Sequence, residues 1–228
     1  MIVAVTGLAR EARIVGGPGV VTVTGGGNAR GLREKLSLAL AETVHGIISI
    51  GIAGGLAPSL KPGDCVVATE VVEGRERFAA NEAWTGRMIA RLPYAELGAI
   101  AGTDAIIANV AAKVELFGAT GALAVDMESH IAAKLAQAHS LPFVVLRVVA
   151  DAAESELPHA ASVALGPDGK VKLGAVLSSV VRQPHQIPAL FRAFRDSKTA
   201  FAALLRCRDA LGIGLAGPDV REPLLDMG

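Results

Sequence analysis

The sequence predicts an α/β domain built on a buried, parallel sheet, and three observations predict it. First, the stretch Ala122–Asp151 reads strand, helix, strand. Ala122–Val125 is a short apolar run, Met127–Ala138 has helical spacing, and Pro142 opens the β-branched run Phe143–Val149. Ile131, Leu135 and Ala138 recur at three- and four-residue steps, which places them on one helix face. Two apolar strands joined through a helix suggest a βαβ unit, whose sheet is covered on both faces. Second, 51% of the residues are hydrophobic and 19% charged, with a mean hydropathy of +0.46. That composition excludes disorder and fits an apolar oligomer interface or an apolar ligand. Third, 228 residues suffice for one large domain with a full core. Neither a repeat period nor a linker divides them. Residues 1–228 are therefore read as one domain, with 152–228 its mostly helical C-terminal part.

The elements follow in order. Met1–Thr6 reads as a strand ending at Gly7, and Leu8–Ile14 as a short helix with Glu11 in its first turns. Val20–Thr24 is a second strand, followed by three glycines. Asn28 has the side chain to cap a helix running to about Thr43. Ile47–Gly51 is a third strand, running into a turn at Ile52-Ala53-Gly54-Gly55; Pro62-Gly63 is a further turn, and Asp64–Val72 a further strand. Glu73–Arg91, with Trp84 inside it, is the most polar part and reads as a mobile excursion over one face. Leu97–Ala101 is strand-like, Gly102-Thr103-Asp104 turns, and Ile107–Leu116 is helical. Beyond Asp151 the chain is loop-rich to Gly169, with a turn at Pro167-Asp168-Gly169. Val171–Val181 and Ile187–Leu211 then read as helices, and Gly212–Gly228 as loose.

Several function classes are disfavoured. The formal net charge of zero argues against a nucleic-acid partner, which needs a basic surplus. Cys65 and Cys207 form neither a disulfide framework nor a metal spacing, and a reducing cytoplasm is the expected setting. The opening MIVAVTG reads as a strand rather than a signal segment. The most apolar window, Gly46–Leu60, is broken by Gly54, Gly55 and Pro58, short of a membrane span. The five histidines offer no HExxH pattern, so no metal is expected. No G-x-S-x-G elbow or GxxxxGK loop is present. Gly25–Arg30 fails the dinucleotide fingerprint, because Arg30 stands where a third glycine must allow close packing. An anion at that helix start near Arg30 stays open.

The carboxylates carry the positive signal. Asp126 and Glu128 lie just past one strand and Asp151 just past another, where open α/β sheets bind ligands. Taken singly, Glu128 reads as a helix-start carboxylate and Asp151 as a cap rather than as catalytic groups; their shared place at strand ends of one unit is what points to function. Arg147 points into an apolar sheet and calls for a carboxylate partner, which it would keep ionised.

These residues resemble a known family. VDMESHIAAKLAQAHSLPFVVLRVVAD resembles the signature of the purine nucleoside phosphorylase and methylthioadenosine/S-adenosylhomocysteine nucleosidase superfamily. TGLAREAR, IISIGIAGGLAPSLKPGDCVVATEVV and GTDAIIANVAAK resemble its other segments in order, so that the likeness covers about Met1 to Ala153. The C-terminal stretch Leu157–Cys207 is similar to the hopanoid-associated phosphorylases, which are thought to remove adenine from adenosylhopane. The resemblance implies a three-layer α/β/α sandwich with a mixed, largely parallel central sheet.

It further implies cleavage of the bond between ribose and a purine, without a cofactor. That chemistry protonates the leaving base, stabilises an oxocarbenium-like sugar and brings a nucleophile to the opposite face. By match to the family, Asp151 donates the proton, Glu128 holds the ribose hydroxyls and Glu11 activates water. Met127 packs beneath the ribose, while Ala53, Gly54 and the Asp126–Met127 backbone line the base and sugar. Ile52, Ile106 and Ala150 replace a serine, an aromatic and a serine of the family pattern, which makes the pocket more apolar and suits a hydrophobic substituent on the nucleoside. Hydrolysis and phosphorolysis both stay open. Glu11 favours water, since a carboxylate repels phosphate, whereas Arg10, Arg30 and the glycine turn offer a site for inorganic phosphate as co-substrate. A non-catalytic nucleoside binder is the alternative to an enzyme. The family implies a homodimer. The Arg-bearing segment Arg182–Arg208 is either a covering helix or a peripheral contact with the inner face of the membrane.

Overall fold

The computed structural model describes residues 1–41, 43–158 and 186–218, together with Ser179 and Arg182. Among the described residues there are eight strands: β1 (Ile2–Thr6), β2 (Val20–Thr24), β3 (Gly46–Gly55), β4 (Cys65–Glu73), β5 (Glu76–Ala79), β6 (Glu96–Gly102), β7 (Ala124–Asp126) and β8 (Phe143–Asp151). The helices described in full are α1 (Ala9–Val15), α2 (Ala29–Ala39), α3 (Glu82–Arg91), α4 (Val110–Thr120), α5 (Ser129–Ala138) and α6 (Ile187–Leu211). The expected turn at Pro167–Gly169 and most of the expected helix Val171–Val181 lie outside the described residues.

The sheet is mixed and largely parallel. Its path is β2-β1-β3-β7-β6-β4-β5, and β8 pairs with both β3 and β4. The pairings β3-β8-β4-β6-β7-β3 therefore close a ring, and β1-β2 extend it from β3. Successive side chains of each strand point to opposite faces, and both faces are buried. Ile47, Val145 and Val149 pack with Leu32 and Leu36 of α2 and Ile131 and Ala136 of α5. Ile48, Ile50, Val144 and Leu146 pack with Val15 of α1, Trp84 and Met88 of α3, and Leu204 and Leu211 of α6. Three layers result, helices on each side of the strands.

Five local expectations are corrected. The strand, helix, strand stretch is not a parallel βαβ unit. β7 runs antiparallel to β3 while β8 runs parallel to it, so both meet the end of β3 from opposite senses. The apolar run of β3 continues through the supposed turn to Gly55, because Gly54 and Gly55 pair with Val125 and Ala124. Glu73–Arg91 is ordered: β5 pairs with β4, and Asn81 caps α3 by accepting from Trp84 N at 2.9 Å. Trp84, Met88 and Leu92, four residues apart, form a wholly buried stripe that the intervening charges conceal in the sequence. Residues 212–216 pack as well. Leu215 and Ala216 are buried, and their carbonyls accept from Trp84 Nε1 (3.0 Å) and Arg87 Nε (2.9 Å). Asn28 caps α2 as expected, by accepting from Gly31 N at 3.0 Å, but that helix ends at Ala39 rather than near Thr43.

Candidate active site

The carboxyl ends of β3, β7 and β8 converge. A β-bulge between Ala53 and Gly54 shifts the register and sets Asp151 beside Gly54, while Gly54 also pairs with Val125. Over this junction lies a cavity of about 310 Å³, within the range of small-molecule sites. Glu11, Ile52, Ala53, Gly54, Ile106, Asp126, Met127, Glu128 and Asp151 all line it, brought from five separate parts of the chain. Arg147 does not line it; it sits beneath, fully buried on β8. Ile107, Ala150 and Leu157 extend the apolar wall, and α6 adds Ala193 and Ser197.

At one end, three carboxylates surround Arg147. Asp126 Oδ1 accepts from the backbone N–H groups of Glu128 (2.9 Å) and Ser129 (2.8 Å), which starts α5. Its Oδ2 accepts from Ser129 Oγ and from Arg147 Nε. Both oxygens are thus engaged within the protein. Arg147 Nη2 donates to Ser49 Oγ at 2.6 Å and lies 3.8 Å from Glu128 Oε2. Nη1, also buried, makes no hydrogen bond among the described residues. Glu11 Oε2 accepts from Gly7 N and Leu8 N, both at 2.7 Å, and Oε1 accepts from Ile52 N at 2.8 Å. Gly51 permits this crowding: a Cβ there would lie 2.5 Å from Glu11 Oε1 and 2.7 Å from Arg147 Nη1. Gly7 does the same for Glu128, whose Oε1 would lie 2.9 Å from an added Cβ.

One guanidinium cannot offset three buried carboxylates, and the proton affinities show it. Burial pushes Glu128 up to about 8; Arg147 opposes the rise, and Asp126 and Glu11 add to it. Burial also raises Glu11, against Arg147 and three backbone N–H groups. Burial would raise Asp126 too, but Arg147, the Ser129 hydroxyl and the backbone donors outweigh it and hold that carboxyl below its ordinary range. Asp126 stays ionised; Glu128 and Glu11 are the groups able to take up or release a proton. Asp126 is the carboxylate partner that the sequence demanded for Arg147.

At the other end stands Asp151, and here the structure adds a residue to which sequence reasoning gave no role. Lys113 of α4 is fully buried and donates to Asp151 Oδ2. Burial raises the Asp151 carboxyl, while the Lys113 ammonium opposes the rise. A lone lysine in an apolar helix carries no signal of a partner 38 residues away. His130, likewise missed, has Nε2 3.1 Å from Asp104 Oδ1. The two arginines considered for an anion are elsewhere: Arg10 stacks over Phe201 at 4.1 Å, and Arg30, 90% exposed, pairs with Glu34.

A family model described as the phosphorylase superfamily matches residues 5–182. The chain belongs to the phosphorylase superfamily. The fold of this superfamily member recurs in solved structures of low identity. A 5′-methylthioadenosine/S-adenosylhomocysteine nucleosidase from Neisseria meningitidis, in complex with methylthio-immucillin-A, is 17% identical with a TM-score of 0.67, covering 91% of this chain and 96% of that one. The Streptococcus pneumoniae nucleosidase in complex with 8-aminoadenine is 19% identical with a TM-score of 0.61, over 90% and 98% of the two chains. Futalosine hydrolase of Helicobacter pylori is 16% identical with a TM-score of 0.60, over 91% and 96%. At such identities the likeness is one of fold.

Proposed function

We propose that this phosphorylase-superfamily protein is an enzyme that hydrolyses the N-glycosidic bond of a purine nucleoside bearing an apolar substituent, adenosylhopane being the candidate the sequence suggests. The observation that carries this reading is the cavity itself, which gathers Glu11, Glu128 and Asp151 while the rest of its wall is mostly apolar. Asp151 donates a proton to the departing purine, so that the base does not leave as an anion. Glu128 faces the ribose hydroxyls and, once ionised, stabilises positive charge on the sugar. Glu11 accepts a proton from the attacking water. Met127, Ala53 and Gly54 pack against sugar and base.

Water is favoured over phosphate by the placement of charge. Among the described residues that line the cavity there is no lysine or arginine. The backbone N–H groups of Gly7 and Leu8, at the start of α1, would suit an anion, but the carboxylate of Glu11 already occupies them.

The test is adenine release from adenosylhopane and from methylthioadenosine, each with and without inorganic phosphate. Release of adenine and the free sugar from adenosylhopane without phosphate is the expected result. A strict requirement for phosphate overturns hydrolysis. Cleavage of methylthioadenosine alone overturns the hopanoid assignment and leaves nucleoside cleavage standing.

A further inference from the structure

Lys113 is the one lysine buried among the described residues, and its ammonium has a full set of acceptors. Besides Asp151 Oδ2, it donates to Ala152 O at 2.7 Å and to Ser155 O at 2.9 Å. Three N–H bonds thus hold the end of β8 and the turn after it against α4. The same turn leads to Leu157, which lines the cavity and donates from its backbone N to Ala108 O at 2.9 Å. Asp151 lies flat against Gly54, with Oδ2 3.4 Å and Oδ1 3.7 Å from the position of an added Cβ. With Oδ2 tied to Lys113, Oδ1 accepts no hydrogen bond among the described residues and is the oxygen left to serve a ligand.

From this geometry we propose that Lys113 is the positioning residue of the acid. It fixes the Asp151 carboxyl toward the cavity and stabilises the carboxylate that remains when the proton passes to the leaving purine. The inference rests on the reading of Asp151 as that proton donor. Before the bond breaks, Asp151 is neutral and Lys113 offers it a hydrogen bond. Afterwards Asp151 is an anion in a buried site, and the same contact becomes an ion pair. The interaction strengthens as charge develops, which is the condition for lowering a barrier rather than only binding the substrate. Lys113 from α4 and Asp196 from α6 are the charged groups acting on Asp151. Glu11, Asp126 and Glu128 stand on the same cavity from α1 and the β7–α5 junction.

The experiment compares Lys113→Met, Asp151→Asn and the double variant on whichever adenine nucleoside the protein cleaves, across pH. Lys113→Met is expected to lower kcat by about 100-fold with KM changed by less than about 3-fold, a loss of the size general-acid catalysis supplies. Activity that needs protonated Asp151 falls as pH rises through the pKa of that group. Without the neighbouring ammonium the pKa rises, so the basic limb of the kcat profile moves to higher pH. In the Asp151→Asn background the second substitution is expected to remove nothing further, because Lys113 acts through Asp151. Lys113→Gln keeps two N–H donors without the charge and replaces the Met variant if that one does not fold. An unmoved basic limb with near wild-type kcat, alongside an inactive Asp151→Asn, overturns the role of Lys113. So does a loss that adds fully to that of Asp151→Asn. Full adenine release by Asp151→Asn overturns instead the reading of Asp151 on which the inference rests.

Discussion

Two buried ionic groups face one cavity, and they differ in how charge is matched. Around Arg147 stand Asp126, Glu128 and Glu11, three carboxylates to one cation. Around Lys113 stands Asp151, one to one. The difference separates two tasks. The crowded end cannot keep every carboxylate ionised, so it holds a proton; in the proposed reaction its remaining negative charge faces the cationic sugar. The matched end can switch one proton on and off with its partner already in place.

The sharpest way to break this contrast is to remove the cation from the crowded end. Arg147→Met leaves Asp126 buried without its partner, and we expect a loss of about 3–5 kcal/mol of stability, measured by urea unfolding. A loss below about 1 kcal/mol would show that Asp126 is held by Ser129 and the backbone alone. A gentler probe is pH. Glu128, raised to about 8 in the folded chain against an ordinary 4.5, binds its proton more tightly when folded. Its contribution to stability is therefore complete below pH 4.5 and is lost as pH rises toward about 8. The melting temperature should fall across that window, and Glu128→Gln should flatten the slope; an equal slope in the variant would place the excess proton on Glu11. The smallest effect concerns the wall between the two ends. Ile52→Ser should lower kcat/KM for an apolar-substituted nucleoside by a few fold, about 1 kcal/mol, and change methylthioadenosine less. Equal effects on both would move the substituent to another part of the cavity.

Much of the crowded end was legible in the sequence. Asp126 and Glu128 follow an apolar run, Arg147 interrupts another, and a buried guanidinium demands a carboxylate; those are local facts with one physical outcome. The Asn28 cap and the whole extent of α6, Ile187–Leu211, were legible for the same reason. The matched end was not. Lys113 meets Asp151 only because α4 is laid against the end of β8, and nothing within either segment specifies that docking. Strand partners were hidden in the same way. The near-continuous apolar run Phe143–Val149 tells that both faces are buried, but not that the strand lies parallel to β3 and antiparallel to β4. Trp84 was masked by charged neighbours that face water.

The double pairing of β8 has a consequence for how the molecule comes into being. β8 enters the chain only after 142 residues, yet it alone joins β3 to β4 directly and carries Arg147 and Asp151. A nascent chain that has emerged as far as Leu141 already contains Glu11, Asp126, Glu128 and Lys113, but neither the cation nor the acid those residues are arranged around. Three carboxylates would then be gathered with nothing to offset them, so the crowded end has no reason to form early. Closing the ring also joins segments far apart in sequence, the kind of contact that slows folding. The cavity thus cannot be complete until β8 has joined the sheet and the later residues Leu157, Ala193 and Ser197 have closed over it.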